Sequence, residues 1–151
     1  MTGMFQDVEQ LIVDRLTLKL AGLTPAPKVY TAVDLENAKN WSQVAASVFV
    51  AYNGITGVES MKGAPSIATL SQEFYVWTVT RSASRHGNQQ GTRDAADPIL
   101  EAVIRALLGW KPGQAIPALE MMDAPSPAYG EGFGYFPLVF SLRRQIRGDV
   151  S

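Results

Sequence analysis

The sequence predicts an α+β domain: a mostly antiparallel sheet of about five strands packed with two main helices, in the order α-β-β-β-α-β-β. Three observations predict it. Apolar residues recur at helical spacing in two segments, one at the start and one beyond the middle. The stretches 44–52, 67–83 and 133–142 instead alternate in the two-residue period of strands. Strands that follow one another without an intervening helix pair antiparallel.

The second helical segment, Asp97-Pro-Ile-Leu-Glu-Ala-Val-Ile-Arg-Ala-Leu-Leu-Gly-Trp110, is the element around which the rest is arranged. Leu100, Val103, Ile104, Leu107 and Leu108 form its apolar stripe. Asp97 can cap the helix with Pro98 in the first position, where the missing N–H costs nothing. Alternatively Thr92-Arg-Asp-Ala-Ala begins it a turn or two earlier and leaves Pro98 at a kink. Gly109 falls where a left-handed residue ends a helix, and Pro112-Gly113 prevents continuation.

The other elements follow in order. Phe5, Val8, Leu11, Ile12, Leu16 and Leu20 predict an N-terminal helix, with acids near its start and Lys19 near its end, as the helix dipole favours. Gly22, Pro25 and Pro27 stop it. Lys28–Val33 reads as a short strand, while Asp34–Trp41 is polar and fits one helical turn at most. Val44–Tyr52 is a strand with Val44, Ala46, Val48, Val50 and Tyr52 on one face. Asn53–Pro65, rich in glycine, reads as an extended connection. In Ile67–Ala83, Phe74, Val76, Thr78 and Thr80 share one face and Tyr75, Trp77, Val79 and Arg81 the other, so both faces are partly apolar. Arg85–Gly91 is a polar loop. After the central helix come a strand at Ile116–Asp123, a Pro/Gly loop at Pro125–Gly132 and a closing strand at Phe133–Leu142. Pro137 cannot donate to a ladder, which puts that strand at an edge or at a bulge.

Composition removes several classes of function. The 151 residues, 46% hydrophobic and 18% charged, are expected to form a single domain over 1–151, loose from about residue 144. A net charge of −1 gives no general attraction to nucleic acid or to anionic membrane. The absence of cysteine removes disulfides, thiolate metal sites and thiol nucleophiles. No apolar run approaches the roughly 20 residues of a membrane span. The N-terminus lacks the basic region and apolar core of a signal peptide, so the expected site of synthesis is a cytoplasm.

No constellation suited to catalysis, cofactor binding or metal binding emerges. His86, the single histidine, lies in the polar loop without an acid or second ligand near it in sequence, as a solvated loop histidine does. Gly130-Glu-Gly-Phe-Gly134 resembles a phosphate loop only superficially. It carries an acid, opens no helix and reads as a hairpin tip. Arg81, Arg85 and Arg93 flank one loop and could meet an acidic partner, or simply be solvated. Trp110 fits packing against a helix end better than a binding anchor. Asp94, Asp97 and Glu101 are accounted for by the helix dipole. Arg143, Arg144 and Arg147 suit a soluble edge.

The second half combines a strand ending Tyr75-Val-Trp-Thr-Val-Thr-Arg81, a polar loop and a helix ending Leu107-Leu-Gly-Trp-Lys-Pro112. A Pro/Gly loop and an aromatic strand, Gly134-Tyr-Phe-Pro-Leu-Val-Phe140, follow. This pattern resembles the tail terminator (tail-completion) proteins of tailed bacteriophages, in particular the Mu-like branch. The resemblance implies a non-enzymatic virion protein without cofactor or metal. Its copies would assemble as a ring, commonly a hexamer, at the head-proximal end of the tail tube. There the ring stops tube polymerisation and offers a surface for head-tail joining. Implied partners are further copies of the chain, the tail tube protein and the head-tail connector or neck protein, with the sheath protein a further candidate. Two rivals stand beside it: another neck or tail-tube subunit of similar architecture, and a small-molecule enzyme or ligand-binding domain with a cleft near His86 and Gly130–Gly134. A ring of one subunit type needs two different patches that meet head to tail. Loop length and polarity place these patches at Gly54–Pro65, Arg85–Arg93 and Pro125–Gly132. The corresponding candidate interface residues are Lys62, Arg81, Arg85, His86, Arg93, Trp110, Tyr129 and Glu131.

Overall fold

The structure, a computed structural model, describes residues 6–31, 34, 46–81 and 89–150. Along them run α1 (Gln6–Leu20), β1 (Lys28–Thr31), β2 (Ala46–Met61), β3 (Ala64–Arg81) and α2 (Gln89–Leu107). β4 (Glu120–Met122), β5 (Ala128–Gly130) and β6 (Phe133–Arg147) complete the chain. This is the α+β order the sequence predicts, with β5 as one short strand more. The described strands join one sheet in the order β1-β2-β3-β6-β4, and β5 also pairs with β6. Among them, only the β1–β2 pairing is parallel.

In α1, Val8, Ile12, Leu16 and Leu20 fall four residues apart, and all are buried. Leu11, expected on the same stripe, is half-buried at its margin, and Phe5 lies outside the described residues. In α2 the buried face is Ala96, Ile99, Val103, Ala106 and Leu107, so the stripe is rotated from the one expected and Leu108 is exposed. Both helices lie on one face of the sheet. Their buried residues form a single cluster with Val48, Val50, Phe74, Val76, Leu138, Phe140 and Leu142. Phe49, Val79 and Val139 on the other face are buried as well, which is why neither face of these strands reads as polar.

α2 begins at Gln89, earlier than either expected start, so Gln89–Gly91 belongs to the helix and Pro98 sits inside it. It ends as expected: Gly109 has φ 75°, the left-handed geometry that costs glycine least. Gly109 N–H then donates to Leu119 O, and Leu119 N–H to Trp110 O, both at 2.9 Å. Docking on the helix end occupies the first part of the strand expected at Ile116–Asp123, leaving only Glu120–Met122 to pair with β6.

The extended connection expected at Asn53–Pro65 is instead the outer half of a long β2–β3 hairpin. Register shifts at Tyr52/Gly54 and Ile55/Gly57 accommodate the glycines as bulges, and Gly63 at φ 82° turns the chain at the tip. Pairing with an eighteen-residue β3 overrides the weak strand propensity of this glycine-rich stretch. The closing strand also runs further than expected. Arg143–Arg147 pairs with Ser71–Ile67, and Gly148 N–H donates to Ser66 O at 2.6 Å. β6 therefore continues as strand as far as Arg147, and its polarity marks a strand leaving the core. Pro137 causes no bulge towards β3, where it faces Trp77 in unbroken register. Its other side falls between the stretches of β6 that β5 and β4 cover. A residue without N–H is tolerated there.

β1 ends in a reciprocal pair of hydrogen bonds: Thr31 N–H donates to Asp34 Oδ2 and Asp34 N–H to Thr31 Oγ1, each at 3.3 Å. This is capping-box chemistry, suited to starting a helical turn. The turn expected over Asp34–Trp41 lies, beyond Asp34, outside the described residues, as does Val44.

Candidate assembly surface

Two places on the described surface gather residues singled out by the sequence. The first is the start of α2 against the β5–β6 hairpin. Arg93 Nε donates to the Tyr129 hydroxyl at 2.7 Å, and its guanidinium lies 5.5 Å from the centre of the same ring. The phenol stabilises the charged guanidinium, through the hydrogen bond first and its field second, and holds it above the ordinary arginine value. Tyr129 meets Phe136 edge-on at 5.8 Å. The hairpin turns through Glu131 and Gly132, with φ 53° and 82°, the signs a two-residue type I′ turn requires. Gly134 has a different task. A Cβ there would come within 2.8 Å of Thr92, so the glycine lets α2 close onto β6. Each residue of the phosphate-loop-like motif that the geometry constrains thus serves a turn or a close approach.

Arg81 closes β3 and, with Asp94, supplies the charge in an open cleft of about 360 Å³. Leu23, Pro25, Ala46, Pro98 and Ile99 provide much of its apolar lining. The cleft does not include the Gly130–Gly134 turn, so the two halves of the ligand-site rival do not share this pocket. Trp110 is half-buried against the core cluster. The Arg15 guanidinium sits 5.2 Å from its ring, while Arg15 Nε donates to Ala106 O at 3.2 Å. That arrangement seals the end of α2 against α1. Arg85 and His86 lie outside the described residues.

The chain is matched over residues 1–150 by the family described as “Phage tail terminator protein”. It belongs to that family. The protein is thus a structural component of a phage tail, and the resemblance carried by Tyr75–Arg81, Leu107–Pro112 and Gly134–Phe140 identifies the family correctly. No curated protein sequence matches the chain.

The second place is the part of the sheet that extends past the helices. Beyond the helices, β2, β3 and β6 continue as a three-stranded blade with Lys62 at the hairpin tip. On β2, Ile55, Val58 and Met61 are 46%, 62% and 51% exposed. Glu59 and Arg143 bridge the blade at 3.2 Å. Sequence reasoning named Lys62 but missed the apolar strand leading to it. Val58, Glu59, Ser60 and Met61 show no two-residue alternation, and three nearby glycines and Pro65 read as loop, so little strand signal is present there.

Proposed function

We propose that this tail terminator assembles as a ring, commonly a hexamer in such proteins, on the head-proximal end of the tail tube. The ring ends tube polymerisation and gives the head connector its seat. The membership of residues 1–150 in the terminator family carries this reading, and the blade supports it. An apolar strand exposed at a sheet edge is a liability for a protein that stays alone and an asset for one that assembles. Each subunit contact should bury about 800 Å² per partner if the ring is stable. Its patches are proposed to include Lys62 at the blade tip, Arg81 at the cleft, and the Arg93–Tyr129–Glu131 corner, with Arg85 and His86 between them in sequence. Trp110 is proposed to contribute at the opposite end of α2, where Arg15 lies over its ring.

Deletion of the gene tests the reading in the phage. Overlong tubes without heads are the expected result. Absence of tubes would identify a tube subunit instead, and normal headed tails would remove the protein from termination altogether.

A further inference from the structure

We propose that the outer edge of β2 in one copy is completed by the outer edge of β6 from the next, so that the blades join into one continuous sheet. The inference rests on the ring reading and specifies the strands that close it.

β1 covers β2 only from Ser47 to Val50. Just beyond, Tyr52 N–H donates to Glu9 Oε2 on α1 at 3.0 Å, so the edge is finished by a side chain there. From Asn53 to Met61 no described strand lies on that side. On the opposite side of the blade β4 covers β6 only from Val139 to Ser141. From Leu142 to Arg147 no described strand lies outside β6.

These edges cannot satisfy each other within a chain, because β3 separates them. Between copies they can. β2 and β6 both run antiparallel to β3 and are therefore parallel to one another. Copies related by rotation about a ring axis present the two edges side by side without inversion, and two unlike edges make the head-to-tail contact a closed ring requires. Closure also removes the exposed edges. The lengths agree, since Leu142–Arg147 gives about 20 Å of strand and the β2 edge is longer. The charges agree too. The β6 edge carries Arg143, Arg144 and Arg147 with no acid, while the β2 edge carries Glu59 and no base before Lys62. Glu59 already reaches an arginine across an intervening strand, so one on an adjacent strand of the next copy lies within easier range. A second copy thus brings an edge of opposite charge alongside.

Because the chain has no cysteine, engineered pairs report the contact without background. Val58 and Ser60 on β2 fall in register with Leu70 and Ala68, and these in turn with Arg144 and Ile146 on β6. All six therefore share one face. Within a chain the β2 and β6 positions lie two strand spacings apart, about 9.6 Å, beyond the roughly 7 Å limit for a disulfide. Oxidation can therefore link only separate copies. The four double variants combine Val58→Cys or Ser60→Cys with Arg144→Cys or Ile146→Cys. They are to be oxidised on full-length protein, free and mixed with tail tubes, with circular dichroism confirming the fold. At least one pair is expected to give a non-reducing ladder up to the full ring, while each single variant gives none. A full oligomer by light scattering with no ladder from any folded pair would overturn the edge pairing and leave the ring reading intact. A monomer both free and on tubes would overturn the ring reading and this inference with it. Disulfide ladders absent while backbone cross-linking joins the blade to the tube subunit alone would assign the edge to the tube.

Discussion

Where α2 meets the sheet, single atoms decide the fit. Thr80 Oγ1 donates to Thr92 O at 2.7 Å inside the core, and Gly134, directly opposite Thr80 in the ladder, leaves room for Thr92. Gly134→Ala should therefore cost about 1–3 kcal/mol through overpacking, read as a lower urea midpoint with an unchanged slope. Thr78, one step along the same face, is fully buried, and its hydroxyl has no hydrogen-bond partner among the described residues. Thr78→Val keeps the shape and removes the orphaned group. It should stabilise the protein by about 1 kcal/mol, raising Tm by roughly 2–4 °C in a calorimetric scan. The sequence showed Thr78 and Gly134 as strand positions. That one hydroxyl is unpaired and one glycine obligatory depends on which helix arrives, a fact no local pattern contains.

At the scale of elements, α1 and α2 were legible because amphipathic periodicity repeats over several turns and the C-terminal glycine gives the stop. The start of α2 was not legible, since Pro98 looks like a first-turn residue and the preceding turns are polar. Pro98 is exposed and inside the helix, where it removes a hydrogen bond to the carbonyl of Asp94 and crowds it. Pro98→Ala should stabilise the helix by about 2–3 kcal/mol: an interior proline costs about 3, and up to about 1 is recovered through the stiffer unfolded chain. Thermal unfolding followed at 222 nm checks the sign; a fall in Tm would mean that the proline is needed for α2 to seat. The strands were legible where burial enforces alternation, at Ala46–Tyr52 and Phe74–Thr80. They were lost where the blade leaves the core, because glycine bulges in β2 and arginines in β6 look like loop and tail when no helix lies above them. The eight surface residues chosen from loop length and charge follow the same limit. Arg93 and Tyr129, thirty-six residues apart, meet in space, whereas the exposed apolar strand nearest Lys62 escaped notice.

For the whole molecule, the compact half and the blade divide the work. The helices and the proximal sheet enclose the hydrophobic cluster and supply stability, while the blade carries exposed apolar residues and open strand edges out of it. Membership of the tail terminator family makes the protein a tail component. The proposed ring would employ two unlike edges on one subunit. Negative-stain imaging of tail tubes grown with tube subunits in excess, with and without this protein, tests that claim most directly. The account predicts a closed ring with an open lumen on one end of each capped tube and no further growth there. Tubes that lengthen equally in both samples, with no ring at either end, would contradict it.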